Sequence, residues 1–171
     1  MKKALQLGLF LAIVSAIAGG ALSYVNGITS PIIEENNLAI EKATLLEMYP
    51  EANEDDFELV EGVSSKTIQK VYKYNDFYIF NMKVSGYKDG TTYLVSIDSQ
   101  TEVIDKYQAL SNGDTKGLGS QVMDEPFKES LEGKSASGEL DTISGATVSS
   151  TPVIEGIHEA GQVLKLSLIH I

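Results

Sequence analysis

Hydroxyl-bearing and small residues are concentrated between Asp141 and Pro152. The first seven residues of this stretch read Asp-Thr-Ile-Ser-Gly-Ala-Thr, and the next five read Val-Ser-Ser-Thr-Pro. The hydroxyls that precede the following apolar segment belong to Thr142, Ser144, Thr147, Ser149 and Ser150. Hydroxyls and small residues before a helix are compatible with a bound phosphate, so this stretch, which also contains the Asp141 carboxylate, is the first candidate site.

The local pattern predicts that a helix starts at the end of this stretch. Pro152 is suited to the first helical position, and Ser150 or Thr151 could cap it. Gly145 and Ala146 leave the backbone open to a bulky neighbour. A phosphate at such a helix entrance would meet unpaired backbone N–H groups and a favourable dipole. The alternative is a hydroxyl-rich turn that only caps the helix, and the local residues alone favour this alternative.

A second irregular stretch, residues 111–120, contains Gly113, Gly117 and Gly119 within seven positions. We call it the glycine loop. This density of glycine indicates special backbone angles or a ligand that lies against the main chain. Glycine loops are common, so this stretch alone does not define a function.

The composition argues against several kinds of site. The 171 residues include 13 Lys and Arg against 24 Asp and Glu, a formal net charge of −11, so nucleic acid is not an expected partner. Cysteine is absent, which excludes disulfides and thiolate metal sites. The two histidines are His158 and His170, and neither a metal site nor a catalytic group is predicted. The acidic turn at residues 51–56 shows no fixed ligand spacing and is predicted to be solvated.

The N-terminus contains a stretch long enough to span a membrane. Residues 5–25 are uncharged and follow Lys2 and Lys3, and as a helix they would extend roughly 31 Å. The lysines predict a cytoplasmic N-terminus, with the rest of the chain on the extracytoplasmic face of the cell membrane. A signal peptide cleaved near residues 16–18 (Ala-Ile-Ala) is the alternative. A single-pass anchor is favoured because the apolar stretch continues past that point and carries a stripe of small residues.

The remaining pattern predicts an α+β fold, in which helices flank an antiparallel sheet of about four or more strands. The sequence Thr29-Ser30-Pro31 predicts the start of a helix that runs to about Tyr49. Apolar residues with a period of two then predict strands. The predicted strands are residues 67–74, 77–86, 91–97 and 101–110, and further helices are predicted at residues 121–132 and 152–166.

These elements divide the chain into an anchor at residues 1–28, a connecting helix at 29–50 and a globular domain at 51–171. Aromatic residues of the strands are predicted to pack in the core rather than form a cofactor cage. They are Tyr72, Tyr74, Phe77, Tyr78 and Phe80. His158 falls outside the apolar stripe of the last helix and is predicted to be exposed.

The last six residues, 166–171, fit no helix-capping pattern. They resemble the translation of a common library adapter, so the natural C-terminus is expected to be missing from about residue 166. Sequencing the locus without fragmentation adapters would test this expectation.

Three features together resemble the FMN-binding domain family. They are the Asp-x-x-Ser-Gly-Ala-Thr block at residues 141–147, a Thr-x-Gly-Leu-Gly sequence at 115–119, and the N-terminal anchor. The resemblance covers nearly the whole chain and is strongest to the G subunits of Rnf ion-translocating electron-transport complexes. In that family the block is the recognition sequence of a flavin transferase, which moves FMN from FAD onto the last threonine as a phosphoester.

The resemblance implies a covalent FMN on Thr147. The other matching positions are Asp141, Ser144, Gly145 and Ala146 in the block, and Thr115, Gly117, Leu118 and Gly119 in the loop. The family's loop usually reads Glu-Thr-Pro-Gly-Leu-Gly, whereas this chain has Asp114 and Lys116 at the first and third positions. Asp keeps the charge of Glu, while Lys frees the backbone and adds a cation. Ser149 would be a further contact to the cofactor.

The function implied by the resemblance is electron transfer within a membrane complex. The chain would be an electron-carrying subunit of an ion-translocating ferredoxin:NAD oxidoreductase, without a complete active site of its own. Its partners would be the other membrane subunits of the complex and a flavin transferase, because a threonine hydroxyl is a poor nucleophile unaided. The alternatives are the C subunit of a sodium-translocating NADH:quinone reductase, a stand-alone extracytoplasmic flavin shuttle, and an anchored binding domain without redox chemistry.

Overall fold

The structure, a computed structural model, describes residues 2–168. It begins with one long helix, α1 (Lys2–Met48). The N-terminal part of α1 is long and apolar enough to cross a membrane. The predicted end of this helical region near Tyr49 is confirmed, because Pro50 follows and disfavours helical geometry in the residue before it.

Helix α1 continues through the position where a second helix was predicted to begin. The Thr29 hydroxyl donates to the Val25 carbonyl at 2.9 Å, and the Ser30 hydroxyl donates to the Asn26 side-chain oxygen at 3.3 Å. Both hydroxyls therefore bond back to the preceding turn, as they do inside helices, instead of capping a new one. Pro31 lies inside the helix. The predicted helix start at Thr29 is wrong.

An antiparallel sheet of five strands forms the centre of the domain that follows. Its strands are β1 (Glu58–Leu59), β2 (Ile68–Tyr74), β3 (Phe77–Val84), β4 (Thr91–Asp98) and β5 (Ile104–Asn112). They pair in chain order, as expected for strands joined by short connections. The predicted α+β class and the four predicted strands are confirmed, and β1 is a short additional edge strand.

Strand β5 begins three residues later than predicted because a turn occupies the intervening positions. The Asp98 side chain accepts hydrogen bonds from the backbone N–H groups of Gln100 at 2.8 Å and Thr101 at 2.9 Å. Glu102 then adopts a positive φ of 58°. An aspartate that bonds the backbone in this way organises a turn, and regular strand geometry resumes at Ile104.

Side chains from other elements cover both faces of the sheet. One face packs against α2 (Glu125–Leu131) and α3 (Thr147–Val163). The other packs against the end of α1 and against Tyr49, whose ring centroid lies 4.9 Å from that of Tyr74. The five strand aromatics all belong to these two clusters, so the predicted aromatic core is confirmed.

The helical region at residues 121–132 is divided into a 3-10 helix (Gly119–Met123) and α2. His158 on α3 is half-buried, and its Nε2 lies 3.0 Å from the Gly138 carbonyl oxygen. The predicted exposure of His158 is wrong because the segment before the 141–147 block packs along α3. A π-helical turn (Leu164–Leu168) follows α3. The expectation about the C-terminus falls largely outside the described residues, as does His170.

Candidate functional site

Three segments that are distant in sequence line a cleft of about 440 Å³. They are the β3–β4 connection, the glycine loop after β5, and the start of α3. Because neighbouring strands are antiparallel, the end of β3, the start of β4 and the end of β5 lie at the same end of the sheet. We call this site the glycine-loop cleft, and its lining residues are Tyr87, Thr115, Leu118, Gly119, Gly145, Ala146, Thr147, Val148 and Ser149.

Two glycines of the loop are required for different physical reasons. Gly117 has a φ of +77°, a backbone angle that glycine adopts without steric cost. Gly119 is buried, and a Cβ added to it would lie 2.4 Å from Ser149 Oγ and 2.5 Å from Asp114 Cβ. The Asn112 side chain also donates to the Gly119 carbonyl at 3.4 Å. Special backbone angles and close approach by the protein itself therefore account for these glycines.

Helix α3 begins inside the 141–147 block, with Ala146 as its N-cap. The Ala146 carbonyl accepts hydrogen bonds from the backbone N–H groups of Ser149 and Ser150, both at 3.0 Å. The Ser150 hydroxyl donates to the same carbonyl at 3.1 Å and accepts from the Ile143 N–H at 3.0 Å. These bonds make Thr147 the first helical residue.

The helix start predicted at Pro152 is therefore wrong, as are the predicted caps Ser150 and Thr151. Pro152 lies in the second turn, where its ring holds a φ that a helix can use. Its missing N–H removes only the helical bond to the Val148 carbonyl. The hydrogen bonds to Ala146 have already formed the first turn by that point.

The hydroxyls of the candidate stretch fall into two groups. Ser149 and Ser150 are buried, 3% and 0% exposed, and their hydroxyls lie against other groups of the protein. Thr142, Ser144 and Thr147 are exposed. Of these three, Thr147 is the one that lines the glycine-loop cleft.

Asp141 is not brought into this cleft. Its carboxylate pairs with Lys134 Nζ at 2.9 Å, and its side chain is 84% exposed. Asp141 and Thr142 instead line a second cleft of about 250 Å³, next to the start of α2. Ser144 and Gly117 are exposed and are also not among the residues that line the glycine-loop cleft.

Comparison with known proteins identifies the family. A model of the FMN-binding domain matches residues 86–162, which include all three segments of the cleft. The G subunit of the Na⁺-translocating ferredoxin:NAD⁺ oxidoreductase complex of Acetobacterium woodii is 30% identical, over 96% of this chain and 93% of that protein. The chain belongs to the family formed by the G subunits of these complexes. The family predicted from the sequence is confirmed.

Two further G subunits have similar coverage. The G subunit of the proton-translocating ferredoxin:NAD⁺ oxidoreductase complex of Clostridium ljungdahlii is 25% identical, over 88% of this chain and 85% of that protein. The G subunit of an ion-translocating oxidoreductase complex of Methanosarcina acetivorans is 26% identical, over 88% of each chain. The similarity to these relatives therefore extends well beyond the cleft.

Two lining residues of this member of the G-subunit family were not predicted from its sequence, Tyr87 and Val148. Both are large apolar side chains with high exposure, 70% and 61%. Tyr87 lies in the connection between the predicted strands 77–86 and 91–97, where the sequence Asp89-Gly90 is typical of a hairpin turn. A large aromatic residue in such a connection is the signal that could have found it. Val148 follows Thr147 directly, but its position depends on where α3 begins.

The Asp114 side chain lies next to Gly119 of the glycine-loop cleft but does not line the cleft. Its Oδ1 accepts a hydrogen bond from the Lys88 backbone N–H at 2.8 Å. Burial raises the pKa of Asp114, but hydrogen bonds from the Ser149 hydroxyl and from the backbone of Lys88, Tyr87 and Gly90 outweigh burial. The pKa of this carboxyl is therefore below its usual value, and the group is ionised at neutral pH.

Replacing Gly119 with Ala is expected to destabilise the domain. The added Cβ would collide with Ser149 Oγ and Asp114 Cβ, and neither atom is the free end of a long side chain. We expect the free energy of unfolding to fall by about 1–3 kcal/mol, as for other overpacked sites. Chemical denaturation of the detergent-solubilised chain measures this.

The matched control is Gly138→Ala. A Cβ at Gly138 would come no closer than 3.2 Å to a neighbouring atom, so a few tenths of an ångström of adjustment would accommodate it. We expect a smaller loss of stability than for Gly119→Ala. Equal stability of the Gly119→Ala protein and the unsubstituted protein would contradict the close packing of the glycine loop on α3.

Proposed function

We propose that this protein is the electron-carrying subunit of a membrane-bound, ion-translocating ferredoxin:NAD⁺ oxidoreductase, and that it holds FMN through a phosphoester to Thr147. The FMN-binding domain match and the named complexes of its relatives support this function. The position of Thr147 is the single observation that carries the proposal. Thr147 is the last residue of the 141–147 block, is exposed, and lines the cleft at the first position of α3.

The side chains of the glycine-loop cleft fit a flat, largely apolar ring system. The volume of about 440 Å³ lies within the range of about 300–1,000 Å³ that is usual for ligand sites. Tyr87, Leu118 and Val148 contribute apolar surface, with exposures of 70%, 52% and 61%. We propose that these three side chains contact the isoalloxazine ring and remove part of their apolar surface from water.

The start of α3 fits the phosphate of the same cofactor. The backbone N–H groups of Thr147 and Val148 come before the first hydrogen bonds of the helix, which Ser149 and Ser150 donate to the Ala146 carbonyl, and the helix dipole favours an anion there. α3 has 17 residues, and Thr147 and Val148 are its first two. A phosphate bonded to Thr147 would therefore lie close to these donors. The hydroxyls of Thr115 and Ser144 remain proposed contacts, although Ser144 is not among the lining residues.

Attachment of FMN is assigned to a separate flavin transferase. Thr147 Oγ1 would gain a bond to phosphorus as the pyrophosphate of FAD breaks and AMP leaves, and the hydroxyl proton has to pass to a base. None of the residues lining the cleft carries an imidazole or a carboxylate. A threonine hydroxyl needs such a base to become nucleophilic, so the transferase has to supply it.

Once attached, FMN supplies reversible electron transfer, while the protein sets its position and surroundings. We propose that the apolar part of α1 anchors the chain as a single-pass transmembrane helix. Lys2 and Lys3 then place the N-terminus in the cytoplasm and the FMN domain on the extracytoplasmic face. This arrangement would present the cofactor to the other membrane subunits of the complex.

Substituting Thr147 with Val is expected to abolish covalent flavin attachment, because the near-isosteric side chain lacks the acceptor oxygen. The chain is produced together with a flavin transferase, and covalent flavin is detected by fluorescence of the denatured protein on a gel. We expect a fluorescent band for the unsubstituted chain and none for Thr147→Val.

Thr142→Val is the matched control, because Thr142 is an exposed threonine of the same block that lies outside the glycine-loop cleft. It should acquire flavin like the unsubstituted chain. Fluorescence that survives in Thr147→Val would contradict the assigned acceptor. Absence of flavin from the unsubstituted chain would contradict the flavin assignment as a whole.

Membership of the complex is tested by affinity purification of the tagged chain from native membranes in a mild detergent. We expect the other membrane subunits of an ion-translocating oxidoreductase to purify with it, and not to appear in a mock purification from untagged cells. Recovery of the flavin-bearing chain alone would contradict the complex assignment and favour a stand-alone flavin shuttle.

A further inference from the structure

We propose that Asp114 is a positioning residue for the cofactor, whose carboxylate fastens the three segments of the glycine-loop cleft to one another. The inference rests on the proposed function, because it concerns how the cleft is held in a form that accepts flavin. Asp114 is not among the lining residues of the cleft. Asp114 therefore acts on the cofactor through the three segments that do line the cleft.

The first segment joined by Asp114 is the β3–β4 connection, which carries Tyr87. The backbone N–H of Lys88 donates to Asp114 Oδ1 at 2.8 Å. A Cβ added to Gly86 would lie 2.1 Å from Asp114 Oδ2, so this connection passes directly over the carboxylate. The hydrogen bond at Lys88 is next to Tyr87 in sequence and therefore limits where the tyrosine ring can lie.

The second segment is the start of α3. The Ser149 side chain is buried, and the position that a Cβ on Gly119 would take is 2.4 Å from Ser149 Oγ and 2.5 Å from Asp114 Cβ, so the two side chains meet at Gly119. The second carboxylate oxygen, Oδ2, is buried without a hydrogen bond of regular geometry. Ser149 Oγ and Asp114 Oδ2 lie 2.4 Å and 3.1 Å from the same point, the position of a hypothetical Cβ on Gly119, and hydrogen bonding by the Ser149 side chain is among the causes that lower the pKa of Asp114.

The third segment is the glycine loop itself, to which Asp114 belongs. The Asp114 backbone N–H donates to Asn112 Oδ1 at 3.0 Å, and Asn112 Nδ2 donates to Thr91 Oγ1 on β4 at 2.8 Å. The backbone that carries the carboxylate is therefore tied to the sheet. The charged Asp114 carboxylate accepts stronger hydrogen bonds than a neutral side chain would. Because its backbone is tied to the sheet, the carboxylate can hold the other two segments in place.

The test uses the full-length chain in detergent with purified flavin transferase and FAD. Asp114→Asn keeps the shape of the side chain and removes its charge, and Ser149→Ala removes the hydroxyl beside it. Both single variants and the double variant are compared for the initial rate of flavin attachment. Quenching of the attached flavin's fluorescence by iodide then measures how far the cofactor is open to solvent.

We expect Asp114→Asn to slow attachment by about tenfold, as for loss of a hydrogen bond to a charged group. The flavin that does attach should be quenched more strongly by iodide. The Ser149→Ala substitution should also slow attachment and increase quenching by iodide. In the double variant, adding Asp114→Asn to Ser149→Ala should slow attachment by less than about a further threefold, because the two groups act through one contact.

Asp76→Asn is the matched control, since it removes the same charge from an exposed position in the turn between β2 and β3, at the opposite end of the sheet from the cleft. It should leave the rate and the quenching unchanged. If Asp114→Asn behaves like Asp76→Asn, or if its effect and that of Ser149→Ala multiply independently, the positioning role of Asp114 is wrong while the flavin site stands. If the unsubstituted chain acquires no flavin, the proposed function fails, and this inference fails with it.

Discussion

The position of Thr147 depends on one hydrogen-bond acceptor, the Ala146 carbonyl. Two backbone N–H groups and the Ser150 hydroxyl converge on this oxygen at 3.0–3.1 Å. Buried acceptors with several partners are costly to rearrange, because each lost bond leaves a polar group without water. The first turn of α3 is therefore fixed, and with it the side of the helix on which the threonine side chain stands.

The turn before Ala146 also fixes the position at which α3 begins. Gly145 has a φ of +82°, which turns the chain into the helix at an angle that other residues rarely adopt. The α3 side of the cleft is thus built from backbone geometry rather than from long side chains. The glycine loop is built in the same way, with Gly117 at positive φ and Gly119 packed against α3.

The sheet could be predicted from the sequence because its period-two pattern and its turn residues are local. Strand β5 was misplaced at its start because the turn that Asp98 organises also contains residues of strand-like type. The helix start predicted at Thr29 was wrong for a related reason. A hydroxyl residue followed by proline occurs both at helix starts and inside helices. Here the Thr29 hydroxyl donates to the Val25 carbonyl of the preceding turn, which is the arrangement inside a helix.

The candidate site was predicted only in part, since its residues come from three segments that are brought together by the order of the strands. Thr147 and the loop residues Thr115, Leu118 and Gly119 were identified by motif, and the structure places them around one cleft. Tyr87 was missed, because an aromatic residue in a hairpin connection marks only a candidate, and no local pattern shows which turn of a meander faces a distant helix. Conversely, Asp141 belongs to the motif but pairs with Lys134 outside the cleft.

The most direct test of the account is to locate the flavin on the polypeptide by fragmentation mass spectrometry. Trypsin releases residues 135–165 as one peptide, because Lys134 and Lys165 flank a stretch without Lys or Arg. This peptide contains every hydroxyl of the 141–152 stretch. We expect one FMN phosphoester, with all of the added mass on Thr147. Added mass on Thr142, Ser144 or another hydroxyl, or an unmodified peptide from chains loaded in the presence of a flavin transferase, would contradict it.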